Sequence, residues 1–310
     1  MRYALLGPGA VGLLYGGRLA AAGLELHIIG RSDVDHLRTH GFLLESPWGD
    51  VRATVPVYTD PRDVPPVDVV LIAVKTTEND SIAALLAPLV RDGTIVVALQ
   101  NGLGVEDTIA EAAPGASVLG ALCFVCALKV GPGHAQHVDY GAVTLAQHHT
   151  HHITSAAEAV AADLRSAGVP VEVDPDLRAA RWRKLVWNIP FNGLSVVLEK
   201  GTDELMADPK TRAHVTALME EVGIGAAACG TPLPEGFVDH MLATTDAMVP
   251  YRTSMKLDFD AGRPLELDAI YAAPVHAARA VGVELPRIEA LWRQLQLAVL
   301  ARNQSRNTAR

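Results

Sequence analysis

Cysteine is scarce in this 310-residue chain: Cys123, Cys126 and Cys229 are the whole supply. A small, odd number excludes a disulfide framework and suits a reducing compartment, so a cytoplasmic location is expected. Basic residues are in deficit too, 26 Lys and Arg against 35 Asp and Glu, for a net charge of −9. A nucleic-acid surface needs the opposite balance, so no nucleic-acid partner is expected. A local basic pocket for a small anion stays compatible with that balance. Long apolar runs are missing as well. The most hydrophobic stretch, Val67–Val74, is far too short to cross a bilayer and contains Asp68, so no membrane partner is expected. In the opening MRYALLGPGAVG, glycines interrupt the apolar run where a signal peptide would continue it. What is present is 49% hydrophobic residues with only 20% charged, enough to bury sizeable cores in about two domains.

The order of apolar runs separates two halves. Tyr3–Leu6 reads as a strand, then GPGAVG, then a helix to Ala22 closed by Gly23. LELHIIG follows as a second strand and DVDHLRTHG as a second helix. Further strands are predicted at Phe42–Leu44, Arg52–Val57, 67–75, 94–101, 117–125 and 169–173. Helices are predicted near Asp80–Val90, Val105–Glu111 and Ala156–Ala167. Apolar strands alternating with helices mean a parallel sheet covered on both faces. Cys123 and Cys126 lie three apart in a strand-like run, so they point to opposite faces and read as two packed thiols. From Leu177 onward nearly everything reads as helix: 178–198, 208–229, 235–259, 267–281 and 286–302, with a frayed NQSRNTAR tail. The fold class is therefore α/β: an N-terminal Rossmann-type parallel-sheet domain (1–176) followed by an all-helical C-terminal domain (177–310), joined at the DPD linker.

The loop Gly7-Pro8-Gly9-Ala10-Val11-Gly12 follows the first strand and opens a helix, the context that a dinucleotide fingerprint requires. Gly7 permits the tight turn, Gly9 lets a pyrophosphate approach the backbone, and Gly12 lets helix and sheet pack closely. The helix N-terminus adds unpaired N–H groups and positive potential. The second strand ends Ile29-Gly30-Arg31-Ser32. Arg31 with Ser32 favours the 2′-phosphate of NADPH, while Asp33, two residues on, keeps NADH as the lesser alternative.

Ligands in such sheets bind beyond the carboxyl ends of the strands. One strand ends at Lys75, which faces the cofactor or is simply a solvated strand-end lysine. Another ends at Gln100-Asn101-Gly102-Leu103-Gly104. Asn101 is a candidate for nicotinamide or substrate, or a turn-forming Asn-Gly.

The run RWRKLVWNIPFNGLS (181–195) is helical in pattern, yet Lys184, Asn188 and Asn192 recur every four residues. With Ser195 they fall within a sector of roughly 80°. Trp187, Phe191, Leu194 and Leu198 form a separate apolar stripe. Pro190 cannot donate to the Val186 carbonyl, so a kink is expected. The polar line is either a solvated face or the wall of a pocket; asparagine is a poor mid-helix residue and both flanks are apolar, which favours the pocket. A lysine there can protonate a forming alkoxide and polarise a carbonyl. Further on, Ser254, the break Gly262-Arg263-Pro264 and Glu266 stand together; Glu266 reads either as a site carboxylate or as a helix cap. The tract Gln147-His148-His149-Thr150-His151-His152 resembles a metal motif, but four histidines on a short loop cannot all turn to one ion, so no metal site is assigned. His134 and His137 fit a hairpin.

Together GPGAVG, the strand end at Lys75, QNG around Asn101, WRKLVWN and the run from Ser254 to Glu266 resemble the ketopantoate reductase family, over nearly the whole chain and in family order. The resemblance implies a Rossmann domain and a helical domain with the active site in the cleft between them. It also implies hydride transfer from NADPH to ketopantoate, giving pantoate for pantothenate and coenzyme A synthesis. It places Lys184 as the general acid, with Glu266 supporting it and the substrate hydroxyl. Asn101, Asn188, Asn192 and Ser254 fall at substrate positions. Gly7, Pro8, Gly9, Ala10, Val11, Gly12, Arg31, Lys75 and Asn101 fall at cofactor positions. Gly193-Leu194-Ser195 departs from the family's usual Pro-Leu-Thr, and Tyr251 replaces a polar carboxamide, so a different pocket floor and another 2-oxo acid remain alternatives. A non-catalytic dinucleotide sensor is a third reading, opposed by the complete set of site residues. The partner expected is a small 2-oxo acid, with a homodimer left open.

Overall fold

The computed structural model describes residues 1–308. They form two compact units. One comprises Met1–Gln100 and Val105–Leu177; the other comprises the chain from Arg178 on, together with the short segment Asn101–Gly104.

The first unit is built on one sheet. Its strands are β1 (Tyr3–Leu6), β2 (Leu26–Ile29), β3 (Phe42–Glu45), β4 (Val51–Ala53), β5 (Val57–Tyr58), β6 (Val69–Ile72), β7 (Ile95–Ala98), β8 (Ser117–Gly131), β9 (His134–Gln147) and β10 (Val171–Val173). Its helices are α1 (Ala10–Ala21), α2 (Val34–His40), α3 (Ile82–Leu86), α4 (Val105–Ala112) and α5 (Ser155–Ser166). The strand order is β4-β3-β9-β8-β7-β6-β1-β2-β5, with β10 beside β9. From β5 through β2, β1, β6 and β7 to β8 every pairing is parallel. The strand order reverses between β1 and β6, which makes the space beyond their carboxyl ends the topological switch point where ligands bind in such sheets.

Successive residues of each strand feed opposite faces, and both faces are covered. Leu5, Leu71 and Val97 belong to one buried cluster with Leu13, Leu14 and Leu19 of α1. Leu6, Ile72 and Ala98 belong to a second with Ile82, Leu86 and Ile109. All four residues of β1, β6 and β7 are buried, as continuous apolar runs predict for a doubly covered parallel sheet.

Several elements differ from the sequence reading. The strand predicted at 117–125 runs on to Gly131 and turns back as β9, an antiparallel hairpin with three register shifts. The segment Arg52–Val57 is two strands, not one. Pro56 has no N–H to donate, and the pieces on either side pair with different neighbours, β4 with β3 and β5 with β2. The helix predicted near Asp80–Val90 is a 3₁₀ turn, Thr76–Ser81, followed by the short α3, which stops before Pro88. Cys123 and Cys126 are both buried free thiols.

The helical unit contains α6 (Leu177–Val197), α7 (Thr202–Ala207), α8 (Pro209–Ala228), α9 (Phe237–Asp246), α10 (Ser254–Asp260), α11 (Ala273–Ala280) and α12 (Pro286–Thr308). The helix predicted over 235–259 breaks between α9 and α10, where Pro250 cannot continue the ladder and Thr253 caps the new start. A π-helical turn, Asp268–Ala272, precedes α11. Pro274 leaves the Ile270 carbonyl without its usual N–H partner, a reason for the ladder to widen there. The tail predicted as frayed is helical through Thr308, and its last two residues lie outside those described. The unit's core is apolar with a few placed polar bonds. Trp187 Nε1 donates to Thr245 Oγ1 at 3.2 Å, joining α6 to α9. The buried Glu221 carboxylate accepts from the N–H groups of Arg287 (3.1 Å) and Ile288 (2.7 Å), which fixes α8 to the start of α12.

Candidate active site

In the first unit, the glycine loop has the geometry that its sequence implies. Gly7 has φ +94°, a conformation that disfavours any side chain, and a Cβ there would lie 2.8 Å from Val74. A Cβ on Gly12 would lie 2.3 Å from the Gly7 carbonyl, so the close approach of α1 to the sheet needs glycine. A Cβ on Gly9 would meet nothing within 4 Å, which leaves open space above its backbone. No side chain caps α1 and no acid lies in its first turn, so the N-terminal N–H groups and positive dipole face that space without a competing anion. The residues present fit a dinucleotide pyrophosphate.

A cavity of about 360 Å³ opens beside this loop. Gly7, Pro8, Gly9, Gly30, Arg31, Ser32, Val74 and Glu78 line it, with Lys129. Arg31 is thus at the cavity, where the sequence places it, and its guanidinium pairs with Glu78 at 2.6 Å. Asp33 is not among the lining residues. Its carboxylate accepts from Gly133 N–H (2.9 Å), Ser32 Oγ (3.1 Å) and Lys129 Nζ (2.5 Å). Burial pushes this carboxyl up, but Lys129 and the Gly133 N–H outweigh it and hold it below the usual aspartate value. Sequence reasoning missed Lys129 and Glu78. No local signal marks either, because the hairpin and the 3₁₀ turn bring them to the end of β2 through the fold.

Lys75 directly precedes the 3₁₀ turn at the carboxyl end of β6, and it is not a lining residue of this cavity. Gln100, at the end of β7, braces that turn. It donates to the Val74 carbonyl (2.9 Å) and to Asn79 Oδ1 (2.7 Å), and accepts from Asn79 Nδ2 (3.3 Å).

In the helical unit, α6 is continuous through Pro190, and its polar line is interior. Asn188 is 3% exposed, Asn192 2% and Ser195 0%, which rules out a solvated stripe. Lys184 is half-buried. Leu198, predicted on the apolar stripe, lies beyond the helix end and is exposed. Asn188 Nδ2 donates to Asn101 Oδ1 at 3.5 Å, so the segment 101–104 and α6 present their carboxamides together. The same segment is tied to the π turn after Glu266: Leu103 N–H donates to the Ala269 carbonyl at 2.9 Å. A Cβ on Gly102, at φ +108°, would come within 2.4 Å of Ala269. Asn101, Asn188 and the turn that follows Glu266 are therefore neighbours. Glu266 is buried, and both it and Lys184 have polar or charged partners.

Ser254 is exposed at the first position of α10, next to the buried N-cap Thr253. Thr253 Oγ1 lies 2.7 Å from Ser195 Oγ, which brings Ser254 to the Asn192 end of the line. Asn192 Oδ1 is buried without a hydrogen-bond partner, a polar atom that a ligand group would satisfy. Two further buried charges in α10, Lys256 and Asp258, lie in the run from Ser254 to Glu266 but were assigned no role from sequence; Lys256 pairs with Asp260 and Asp258 with Arg263 at 2.8 Å.

The family follows from comparison with known proteins. The model of "Ketopantoate reductase PanE/ApbA" matches residues 3–150, and that of its C-terminal region matches residues 176–298. The chain belongs to the ketopantoate reductase family. A 2-dehydropantoate 2-reductase of Nostoc sp. (strain PCC 7120) is 47% identical over 95% of this chain and 94% of its own length. The crystal structure of 2-dehydropantoate 2-reductase from Geobacter metallireducens superposes with a TM-score of 0.92 at 38% identity, covering 96% of this chain and 100% of that one. That from Methylococcus capsulatus gives 0.89 at 31%, covering 97% and 98%. Members of this family are pyridine-nucleotide-dependent oxidoreductases acting on CH–OH groups, and this chain is an enzyme of that class.

The Gly193 departure from the family pattern has a packing reason. A Cβ there would lie 2.7 Å from Tyr271 Oη and 2.6 Å from Leu291 Cδ2. The space is filled by the unit's own core, and Tyr271 Oη donates to the Ile189 carbonyl at 2.9 Å.

The histidine tract splits between two acids. His148 and His149 approach Asp107 at 3.1 and 3.7 Å, and His151 approaches Asp176 at 3.6 Å. Asp107, His148 and His149 form one group compact enough to hold an ion. The two rings lie with centroids 3.7 Å apart and planes tilted by 35°.

Proposed function

We propose that the chain reduces 2-dehydropantoate (ketopantoate) to pantoate with NADPH, in the cytoplasmic route to pantothenate and coenzyme A. Residues 1–176 bind the cofactor and 177–310 bind the substrate. The observation that carries the reading is the buried line of α6. Along one side of α6 the half-buried ammonium of Lys184 stands in line with the buried carboxamides of Asn188 and Asn192, and Asn188 is hydrogen-bonded to Asn101, in a chain whose relatives are named for this reaction.

When bound, the nicotinamide supplies the hydride that makes the C2 carbonyl a hydroxyl. Lys184 donates the proton to the C2 oxygen as negative charge develops on it and recovers a proton from solvent. Glu266 orients that ammonium and accepts from the new hydroxyl. Asn101, Asn188, Asn192 and Ser254 offer neutral donors and acceptors to the substrate's carboxylate and hydroxyl, and the unpartnered Asn192 Oδ1 supports that assignment. Gly7–Gly12 cradle the pyrophosphate, Arg31 meets the 2′-phosphate, and Lys75 lies on the cofactor side. The test is cofactor oxidation across a panel of 2-oxo acids with NADPH and then NADH. Fastest turnover is expected with ketopantoate and NADPH. Preference for another 2-oxo acid overturns the substrate, and equal use of NADH overturns the cofactor.

A further inference from the structure

An acid just past the second strand of a dinucleotide fold conventionally bonds the ribose 2′-hydroxyl of NADH. Asp33 occupies that place in the sequence, and the fold turns it to another task. It is 8% exposed, and its oxygens are engaged by Ser32 Oγ, the Gly133 N–H and Lys129 Nζ. Lys129 is brought from β8 of the long hairpin and does line the cavity, as do Arg31 and Ser32. An ammonium has three donors, and Asp33 takes one. The buried carboxylate fixes the lysine's position, and its remaining N–H groups are available to the cavity.

We infer that Lys129 is a second cation for the 2′-phosphate of NADPH, beside Arg31, and that Asp33 serves NADPH by holding Lys129 in place. This rests on the NADPH reading above. It reverses the usual meaning of the acid: removing Asp33 weakens the phosphorylated cofactor and leaves the unphosphorylated one alone. Two charge-assisted contacts on one dianion also explain how a chain of net charge −9 can hold a cofactor with this much negative charge.

The test is calorimetric titration of the full chain with adenosine 2′,5′-bisphosphate and with 5′-AMP, which share everything but the 2′-phosphate. The wild type should prefer the bisphosphate. Lys129→Met should weaken it roughly ten- to a hundredfold, the scale of one charged hydrogen bond, and leave 5′-AMP unchanged. Lys129→Arg should restore most of the loss, which separates charge from damage to the hairpin. Asp33→Asn should weaken the bisphosphate and spare 5′-AMP. If Lys129→Met keeps the wild-type preference, or Asp33→Asn loses 5′-AMP instead, the inference is overturned while the NADPH reading stands. If the wild type binds both probes equally, the NADPH reading fails and takes the inference with it.

Discussion

The hydroxyls of Ser195 and Thr253 meet at 2.7 Å in a fully buried contact between α6 and the start of α10. The proton directions follow from the neighbours. Thr253 Oγ1 accepts from the Lys256 N–H at 3.2 Å, and its own proton goes to Ser195, whose single proton is committed elsewhere. Ser195 in turn donates to the Asn192 carbonyl at 3.0 Å. The chain links the backbone of Asn192 to the cap that presents Ser254. Ser195→Ala leaves the Thr253 proton without an acceptor and should cost about 1–3 kcal/mol of stability, read by urea unfolding. Its effect on catalysis should fall on the KM for ketopantoate and little on kcat. In a Ser254→Ala background the same change should add little further to KM. Full additivity would show that Ser195 does not act through Ser254.

Lys184→Ala should lower kcat by roughly two to four orders of magnitude, the range for losing a positioned general acid. The melting temperature should stay close to wild type, because this side chain is only half-buried. NADPH affinity, measured separately by titration, should be unchanged. Near-normal turnover would remove Lys184 from the mechanism.

The glycine loop was legible because its requirements are local: a turn, an open backbone and a close helix, each answered within a few residues of the chain. The polar line of α6 was legible because helical periodicity puts Lys184, Asn188, Asn192 and Ser195 on one side. The hairpin was legible only at His134 and His137; its length and register were not. In β9 the burial pattern breaks around Asp139–Gly141, where the register shifts and Tyr140 adopts φ +60°, so strict alternation is lost. With the register of β9 unread, the position of Lys129 at the end of β2 could not be inferred, and Asp33 kept its conventional meaning. The bond from Asn188 to Asn101 was equally hidden, since it joins segments far apart in sequence.

Gly193→Ala should destabilise the helical unit by about 1–3 kcal/mol, the usual result of overpacking. The added methyl would lie well inside contact distance of both Tyr271 Oη and Leu291. Pairing it with Tyr271→Phe should recover part of the loss by removing one of the two atoms it strikes. Urea unfolding of the two single variants and the double variant measures this. A Gly193→Ala protein as stable as wild type would mean that α6 and α12 shift apart freely. Ketopantoate KM should change little, since the clash lies within the core.

Acid should destabilise the sheet unit through His137. Its ring is 2% exposed, packs edge-on against Trp48 and has both nitrogens engaged: Nδ1 with Ser46 Oγ at 2.9 Å and Nε2 with the Tyr140 carbonyl at 2.9 Å. Burial lowers its pKa below the ordinary value of 6.5, against the opposing pull of the Tyr140 and Asp139 carbonyls and the Asp139 charge. A lowered folded-state pKa means that the unfolded chain binds the proton first. The stabilisation is therefore complete above about pH 6.5 and is lost as pH falls through the folded-state value. His148 is lowered as well, by burial and by His149, and adds in the same direction. Unfolding free energy measured by urea from about pH 7 down to about pH 5 should fall for the wild type. His137→Gln, which can keep one donor and one acceptor, should flatten that slope while lowering stability at neutral pH. An unchanged slope in the variant would place the acid sensitivity elsewhere.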